Sequence, residues 1–506
     1  MKNQNFRKII IINIIFLLFS LSCEKTEIKQ PEEKILVRID DQVTISLNEF
    51  IRRAEFTIRP PFCKHNNYIH KKIILNSLIA EKLLVLEAGE QNPLLSNEEF
   101  LAYLKGRREQ VMRQWMHNQE ATQKVKLDSS QIKQFYQFAG REYEIEYYSL
   151  NNASAVEGVT DNLVNESNYF ETLFQDVYSD SLIPKRKVSW GRHEHGKITE
   201  VLFSKNYKKG QVLPPIKIGK NDFLIIKITG WSDTKMITQN QIQKRWNDVD
   251  EELTRIKSSA IWNKKLAEIM RGKTIDFADD TFWKLNKIFF EIYFTSDEER
   301  KESIKEEIWD IEKKEQNALD ELVEKDILKQ PFFTIDGRTW LVEDFRKELM
   351  SHPLVFRERK MDSNEFPVQF RLAVVDLIRD FFVTEEAYKK GYDKVDVVLR
   401  NENMWRDAFL AIYQKNLYLK SVGEKRSFAK DYMRIMGEHL NVYTDSLQQK
   451  YYKKVELDFE AFEDIALTSI DLLVKQQHQP YPFVVPMFPV ITTDNRIEYI
   501  KKMGKH

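Results

Sequence analysis

Four short runs decide how this chain is read: Val188-Ser-Trp-Gly191, Ile198-Thr-Glu-Val-Leu-Phe203, Lys209-Gly-Gln-Val-Leu-Pro-Pro-Ile216 and Asp222-Phe-Leu-Ile-Ile-Lys-Ile-Thr-Gly-Trp231. They form a hydrophobic framework whose large members include Trp190, Val201, Phe203 and Leu224. Just upstream, Tyr143-Glu-Ile-Glu-Tyr-Tyr-Ser-Leu150 alternates and predicts a strand. Ala153 to Val164 and Tyr169 to Tyr178 read as helices. Aromatic and apolar residues at such spacing are commonly core, so the framework alone does not make a site.

Composition narrows the class. The chain has 506 residues, with 78 Lys+Arg against 78 Asp+Glu. This near balance argues against nucleic acid as a partner, which calls for a basic excess. Lys2, Arg7 and Lys8 precede an apolar run from Ile9 to Leu21, and no acidic residue occurs before Cys23. A basic segment followed by a short apolar one reads as a secretory signal, residues 1–22. Leu18-Phe-Ser-Leu-Ser-Cys23 resembles a bacterial lipobox, which makes Cys23 the expected lipid anchor. The departure from that pattern is Ser20, where an aliphatic residue is usual. The only other cysteine is Cys63, so with Cys23 acylated no internal disulfide forms and the fold rests on packing. Residues 23–34 read as a tether.

From residue 35 the pattern is mostly helical. Ile35-Leu-Val-Arg-Ile39 alternates as a strand, Asp40-Asp41 is a turn, and Ser46 with Glu49 is a capping box opening a helix. Lys71 to Ala88 and Ser96 to Gln119 follow as helices, and Asp128 caps another. The same entry recurs: Phe333 to Phe345 parallels Val37 to Phe50, and Leu377 to Ala387 parallels Leu78 to Ala88. This reads as a diverged internal repeat. Gln239 to Met270 predicts one long helix, with Ile242, Trp246, Val249 and Leu253 at helical intervals. The charge run in 279–324 reads as a solvated face. From Phe428 the tail is expected to be helical to about Glu438. Pro480-Tyr-Pro-Phe-Val-Val-Pro-Met-Phe-Pro-Val490 precludes helix and reads as an extended strap.

The framework of 141–232 resembles a parvulin domain, the small α/β fold of one class of peptidyl-prolyl isomerases. Phe170-Glu-Thr-Leu-Phe, Val188-Ser-Trp-Gly191, Lys208-Lys-Gly-Gln-Val-Leu-Pro-Pro215 and Asp222 to Ile228 follow that family's element order of strand, helices, strand, helix, strand, strand. The order of segments from Ile35 to Tyr136 is similar to the helical part of SurA-like periplasmic chaperones. The resemblance implies a proline pocket lined from the helix Ile198 to Phe203, with a histidine on the first strand and another on the last. Here Tyr147 or Tyr148 stands at the first histidine position and Leu224 at the second. Losing both removes the polar cluster and keeps the apolar pocket, so peptide binding with little catalysis is expected, through Trp190, Val201, Phe203 and Leu224. X-Pro isomerisation faces a barrier of about 20 kcal/mol. If the domain is active, Tyr147 or Tyr148 and Glu200 are the substitute polar groups. His193-Glu-His195 reads as a solvated loop, and no metal or cofactor is expected.

The expected fold is therefore α+β and mostly helical. Residues 35–140 are a SurA-like helical segment, 141–232 an inserted parvulin-like α/β domain, and 233–330 a helical connector. Residues 331–425 are a second SurA-like repeat, and 426–506 a helix and proline-rich strap. The expected protein is a lipid-anchored chaperone on the periplasmic side of the bacterial outer membrane, holding unfolded or extended envelope polypeptides. The alternatives are an active isomerase and a structural lipoprotein of an envelope complex.

Overall fold

The computed structural model describes residues 33–40, 43–165, 168–179, 181–191, 194–219, 221–303, 326–358, 361–468, 472 and 481–504. The signal 1–22, Cys23, His193 and the charged stretch beyond Ser303 lie outside the described residues. The chain is a mixed α+β protein, 58% helical, with three small sheets among the described residues.

Two strands, β1 (Ile35–Ile39) and β2 (Val43–Ser46), form an antiparallel pair. Ser46 then caps α1 (Leu47–Glu55), its Oγ accepting from the Glu49 amide at 3.0 Å. The long helix α2 (Tyr68–Ala88) starts three residues earlier than expected because Asn67 caps it, accepting from the His70 amide at 2.9 Å. Every residue of α2 from Ile73 to Leu84 is buried. A helix covered on all sides must satisfy the polar groups it takes inside. Arg53 of α1 forks onto Glu81 at 2.8 and 2.7 Å. Lys82 lies 2.9 Å from Glu49 and 2.8 Å from Asp407. Asn76 donates to the carbonyls of Asp494 and Arg496 at 3.0 and 2.7 Å. Most of these partners come from the far end of the chain.

The next helix, α3 (Glu98–Glu120), is a spine. Its first half packs Phe100, Tyr103 and Leu104 on Met404, Trp405 and Phe409. Its second half packs Met112 and Met116 with Trp262, Val383 and Ala387. Gly106 lets another helix end touch it: a Cβ there would fall 1.8 Å from the Ser351 carbonyl oxygen.

The α/β unit follows: α4 (Ser129–Tyr136), β3 (Arg141–Leu150), α5 (Ala153–Asn165), α6 (Tyr169–Tyr178), β4 (Lys185–Ser189), α7 (Gly196–Ser204), β5 (Ile216–Lys217) and β6 (Phe223–Asp233). Its sheet runs β4-β3-β6-β5, and each neighbouring pair is antiparallel. The strand expected over 208–215 is instead a single bridge from Val212 to Lys227, and pairing resumes only at Ile216. Pro214 and Pro215 have no amide hydrogen to give the ladder. Helix α8 (Gln239–Ile269), opened by a Thr238–Gln241 capping box, then runs back along α3 and α4.

A second strand-rich segment repeats the first one's order. After β7 (Ile275–Phe277) and α9 (Asp279–Ser303) come β8 (Pro331–Ile335), β9 (Arg338–Leu341), α10 (Val342–Ser351) and α11 (Phe366–Lys389). The turns of the two hairpins share a left-handed aspartate, φ 52° at Asp40 and 53° at Asp336. Phe50 and Phe345 are buried on the following helices. The core here is largely aromatic, with Phe282, Phe332, Phe333, Trp340, Phe345, Phe366 and Phe370.

The C-terminal third does not form a separate piece. Helix α12 (Asp396–Ser421) packs along α2, and Asp407 reaches Lys82. The tail stays helical past Glu438, through α13 (Phe428–Ile435), a π turn at Met436–Leu440 and α14 (Asn441–Tyr451). Leu440, Thr444, Leu447 and Gln448 recur at three- and four-residue spacing and are buried, which holds that face down. Strand β10 (Val455–Leu457) pairs antiparallel with β1, Val37 opposite Leu457, and β11 (Lys501–Lys502) lies parallel to β10. Lys71 reaches the end of α15 (Phe459–Asp464), donating to the Phe462 carbonyl at 2.8 Å and Glu463 at 3.1 Å. The strap, residues 481–504, buries Val485, Phe488, Ile491, Ile497 and Ile500.

Removing one partner from a buried ion pair leaves an uncompensated charge, which costs about 3–5 kcal/mol. Lys82→Met is expected to lose that much in urea unfolding, and Lys454→Met, at an exposed pair with Asp40, under about 1 kcal/mol. Equal midpoints for the two variants would rule out the Lys82 cluster as the tie between the chain's ends.

Candidate functional site

Register separates the two tyrosines. Tyr147 pairs with Ile226 and Ser149 with Leu224, so Tyr147 and Leu224 lie on one face of the sheet. Tyr148 pairs with Ile225 and faces the other way. There it is 3% exposed under Phe170 and Phe174 and donates its hydroxyl to the Phe170 carbonyl at 3.0 Å. Burial pushes that hydroxyl's pKa up, with Glu171 adding to the effect. Tyr148 is thus a structural residue of the α5–α6 side, and Tyr147 alone shares a face with Leu224.

On that face the expected pocket is filled. Phe203 is fully buried and Leu224 is 4% exposed. Tyr143 and Trp190 both pack edge-on against Phe203, with ring centres 5.3 and 5.2 Å away. Trp190 is half-buried, stacks toward Phe135 of α4, and donates from its indole nitrogen to the Asp248 carbonyl of α8 at 3.2 Å. Val201 is half-buried, and its carbonyl accepts the Tyr207 hydroxyl at 2.7 Å. Helix α7 meets α8 closely, since a Cβ on Gly196 would sit 3.2 Å from the Ile256 side chain. Phe203 and Leu224 are therefore buried in the core between the sheet and α7, with Tyr143 and Trp190 packed on Phe203.

What stays accessible is the polar rim. The Arg186 guanidinium lies over the Tyr147 ring at 4.8 Å and forks onto Glu194 at 2.8 and 2.9 Å. Glu200 is half-buried on α7. His195 is exposed and caps α7, accepting from the Lys197 amide at 3.3 Å. This rim can orient a peptide carbonyl.

A second feature lies around Phe366 of α11. Phe290, Tyr293, Phe294 and Phe356 are half-buried around the fully buried Phe366, with ring centres 5.4, 5.7, 6.0 and 5.5 Å from it. Val355, next to Phe356, and Val368, two residues past Phe366, are 67% and 61% exposed. Apolar side chains on and beside this aromatic core are thus partly open to solvent. The run Ile288-Phe-Phe-Glu-Ile-Tyr-Phe294, apolar around most of the helix, was the available signal.

Glu424, Glu438 and His439 bring ligand atoms within 4.8 Å of one another. The Arg426 guanidinium bridges the two carboxylates, at 2.6 Å from Glu438, and so supplies the positive charge itself. Among the described residues no helix is long and apolar enough to cross a membrane. No protein-family model matches the chain, and no curated protein matches it.

Tyr148→Phe removes a hydrogen bond inside the core and is expected to cost about 0.5–1.5 kcal/mol in urea unfolding. Tyr147→Phe should change stability by less than about 0.5 kcal/mol. The reverse ranking would contradict the assigned faces.

Proposed function

We propose that the chain is a lipid-anchored chaperone of the bacterial envelope, with a parvulin-like α/β unit of little or no isomerase activity. The strand, two helices, strand, helix, strand, strand order of residues 141–233 supports the parvulin-like reading. Leu224 supports the loss of catalysis, because an aliphatic side chain faces Tyr147's side of the sheet where the family would place its second histidine. The observation that carries the holding function is the half-exposed ring cluster of Phe290, Tyr293, Phe294 and Phe356. It gives extended, aromatic-bearing clients an apolar surface that costs little side-chain entropy on binding.

An active isomerase is the second reading, favoured by the Arg186 guanidinium over Tyr147, a polar group at the edge of the same face. A structural lipoprotein is the third, and stable co-purification with one fixed partner would favour it.

Three experiments test these readings. The purified chain should suppress aggregation of an unfolded outer-membrane protein at stoichiometric ratio, and Phe294→Ser with Phe356→Ser should abolish most of that effect while leaving the protein folded. Absence of suppression by the unmodified chain would sink the chaperone reading. A proline-peptide assay should show no acceleration above the uncatalysed rate, and acceleration lost in Tyr147→Phe would establish the isomerase instead. Separately, Cys23→Ser should move the protein from the membrane fraction to the soluble one, since a diacylglycerol and an amide-linked chain anchor by buried methylenes. Retention in the membrane fraction would exclude Cys23 as the sole anchor.

A further inference from the structure

The sheet of the α/β unit ends in β4, whose outer side pairs with no described strand. Alternate residues of an antiparallel strand turn their backbone groups to opposite neighbours. The Tyr147 amide donates to the Pro184 carbonyl at 3.1 Å, so Tyr147 and the residues in step with it, Ile145 and Tyr143, turn to β4. The other side of β6 agrees. Ile226 and Ile228, opposite Tyr147 and Ile145, accept on their carbonyls from the Leu213 and Gly210 amides at 2.8 and 2.7 Å, away from β3. Across the register of β3 and β4, Arg186 and Val188 therefore face β3, while Lys185, Lys187 and Ser189 turn their amides and carbonyls outward. Among the described residues these outward groups have no backbone partner.

Free edges are commonly guarded by lysines. Here the guards are drawn back over the sheet. The Lys185 ammonium lies 2.8 Å from Glu146, and the Lys187 ammonium 3.0 Å from Glu142 and 3.6 Å from Glu144, all carboxylates of β3. The Arg186 guanidinium lies over the ring of Tyr147, also of β3. These two ammoniums stand against three carboxylates, so an acidic partner finds no spare cation there. What remains open is a row of amides and carbonyls at every second residue, about 7 Å apart. Another extended backbone matches that repeat. Just before the strand, Leu182 is 92% exposed and offers an apolar contact to a chain running on past Pro184.

We propose that β4 takes an extended, uncharged client segment as an added antiparallel strand. This contact rests on the holding function proposed above and uses none of the rings around Phe366.

Hydrogen exchange read by mass spectrometry on the full chain in a zwitterionic detergent tests this, with an acetylated, amidated hexapeptide of alternating threonine and valine as the probe. The peptide should slow exchange across Lys185–Ser189. Lys187→Pro removes an outward amide and no bond to β3, so it should weaken binding by about tenfold. Lys187→Val loses the same ammonium but keeps the amide. It should bind as the unmodified chain does and share the urea midpoint of Lys187→Pro. Val188→Pro, whose amide faces Tyr143, should lower the midpoint. Any of five results would overturn the proposal: no slowed exchange at millimolar peptide, undiminished binding by Lys187→Pro, a midpoint for Lys187→Pro below that of Lys187→Val, tighter binding of the same peptide carrying a central proline pair, or Lys185–Ser189 protected before peptide is added, which would make a second copy of this chain the occupant. Phe294→Ser with Phe356→Ser should abolish aggregation suppression and leave peptide binding at β4 unchanged, so the two readings fail separately.

Discussion

Lys82 sits inside the first core with its ammonium held between Glu49 and Asp407, carboxylates more than three hundred residues apart in sequence. A charge so deep is tolerable only if both partners arrive. Helix α2 therefore cannot be completed by its own neighbourhood. It needs α1 from before it, α12 from the last third, and the strap to cap Asn76 and Arg53. The Arg53 bond to the Met487 carbonyl spans 434 residues, and β1 finds its second partner in β10. The α/β unit and the second hairpin segment are thus insertions into one closed core, hung from α3 and α8.

The cluster is not symmetric. Burial would lower the Lys82 pKa, but Asp407, Glu49 and Glu81 outweigh it and raise it, so the ammonium stays charged. Burial would likewise raise Asp407, yet Lys82 and Arg406 overcome this and hold it down. At Glu49 burial wins and the carboxyl moves up. The ammonium lies 2.9 Å from Glu49 of α1 and 2.8 Å from Asp407 of α12, so it ties the first helix to the C-terminal third.

Much of this was legible from local chemistry. Alternation marked β3, Ser46 and Asp128 marked helix starts, and the hydrophobic spacing of 239–269 gave α8 nearly whole. For the α/β unit, sequence spacing assigns a face and says nothing of what covers it. Trp190 and Phe203 were correctly apolar, but α4 and α8 were not visible above them. Tyr147 and Tyr148 differ by one position, and only the pairing with Ile226 and Ile225 separates a rim residue from a core one. The helical tail was cut short at Glu438 because a π turn breaks the 3.6-residue period while the buried face continues through Leu440 to Gln448. The Phe290 rings stand in sequence among Lys284, Lys287 and Glu291, so the charge of 279–324 masks them.

The closure of the α/β unit by α8 bears on how such a protein could hold a client. A proline ring cannot enter beside Phe203 while Trp190 is bonded to the Asp248 carbonyl and Ile256 rests on Gly196. Any binding there has to displace a packed helix, at the cost of the contacts among Ile132, Val249 and Leu253. The rings around Phe366 require no such displacement. Phe290, Tyr293, Phe294 and Phe356 rest half-buried on the fully buried Phe366. Under the proposed chaperone function, rings already half-exposed would meet a client before a packed helix is displaced, so the α/β unit would contribute its frame and its Arg186–Tyr147 rim and leave the primary grip to the second hairpin segment.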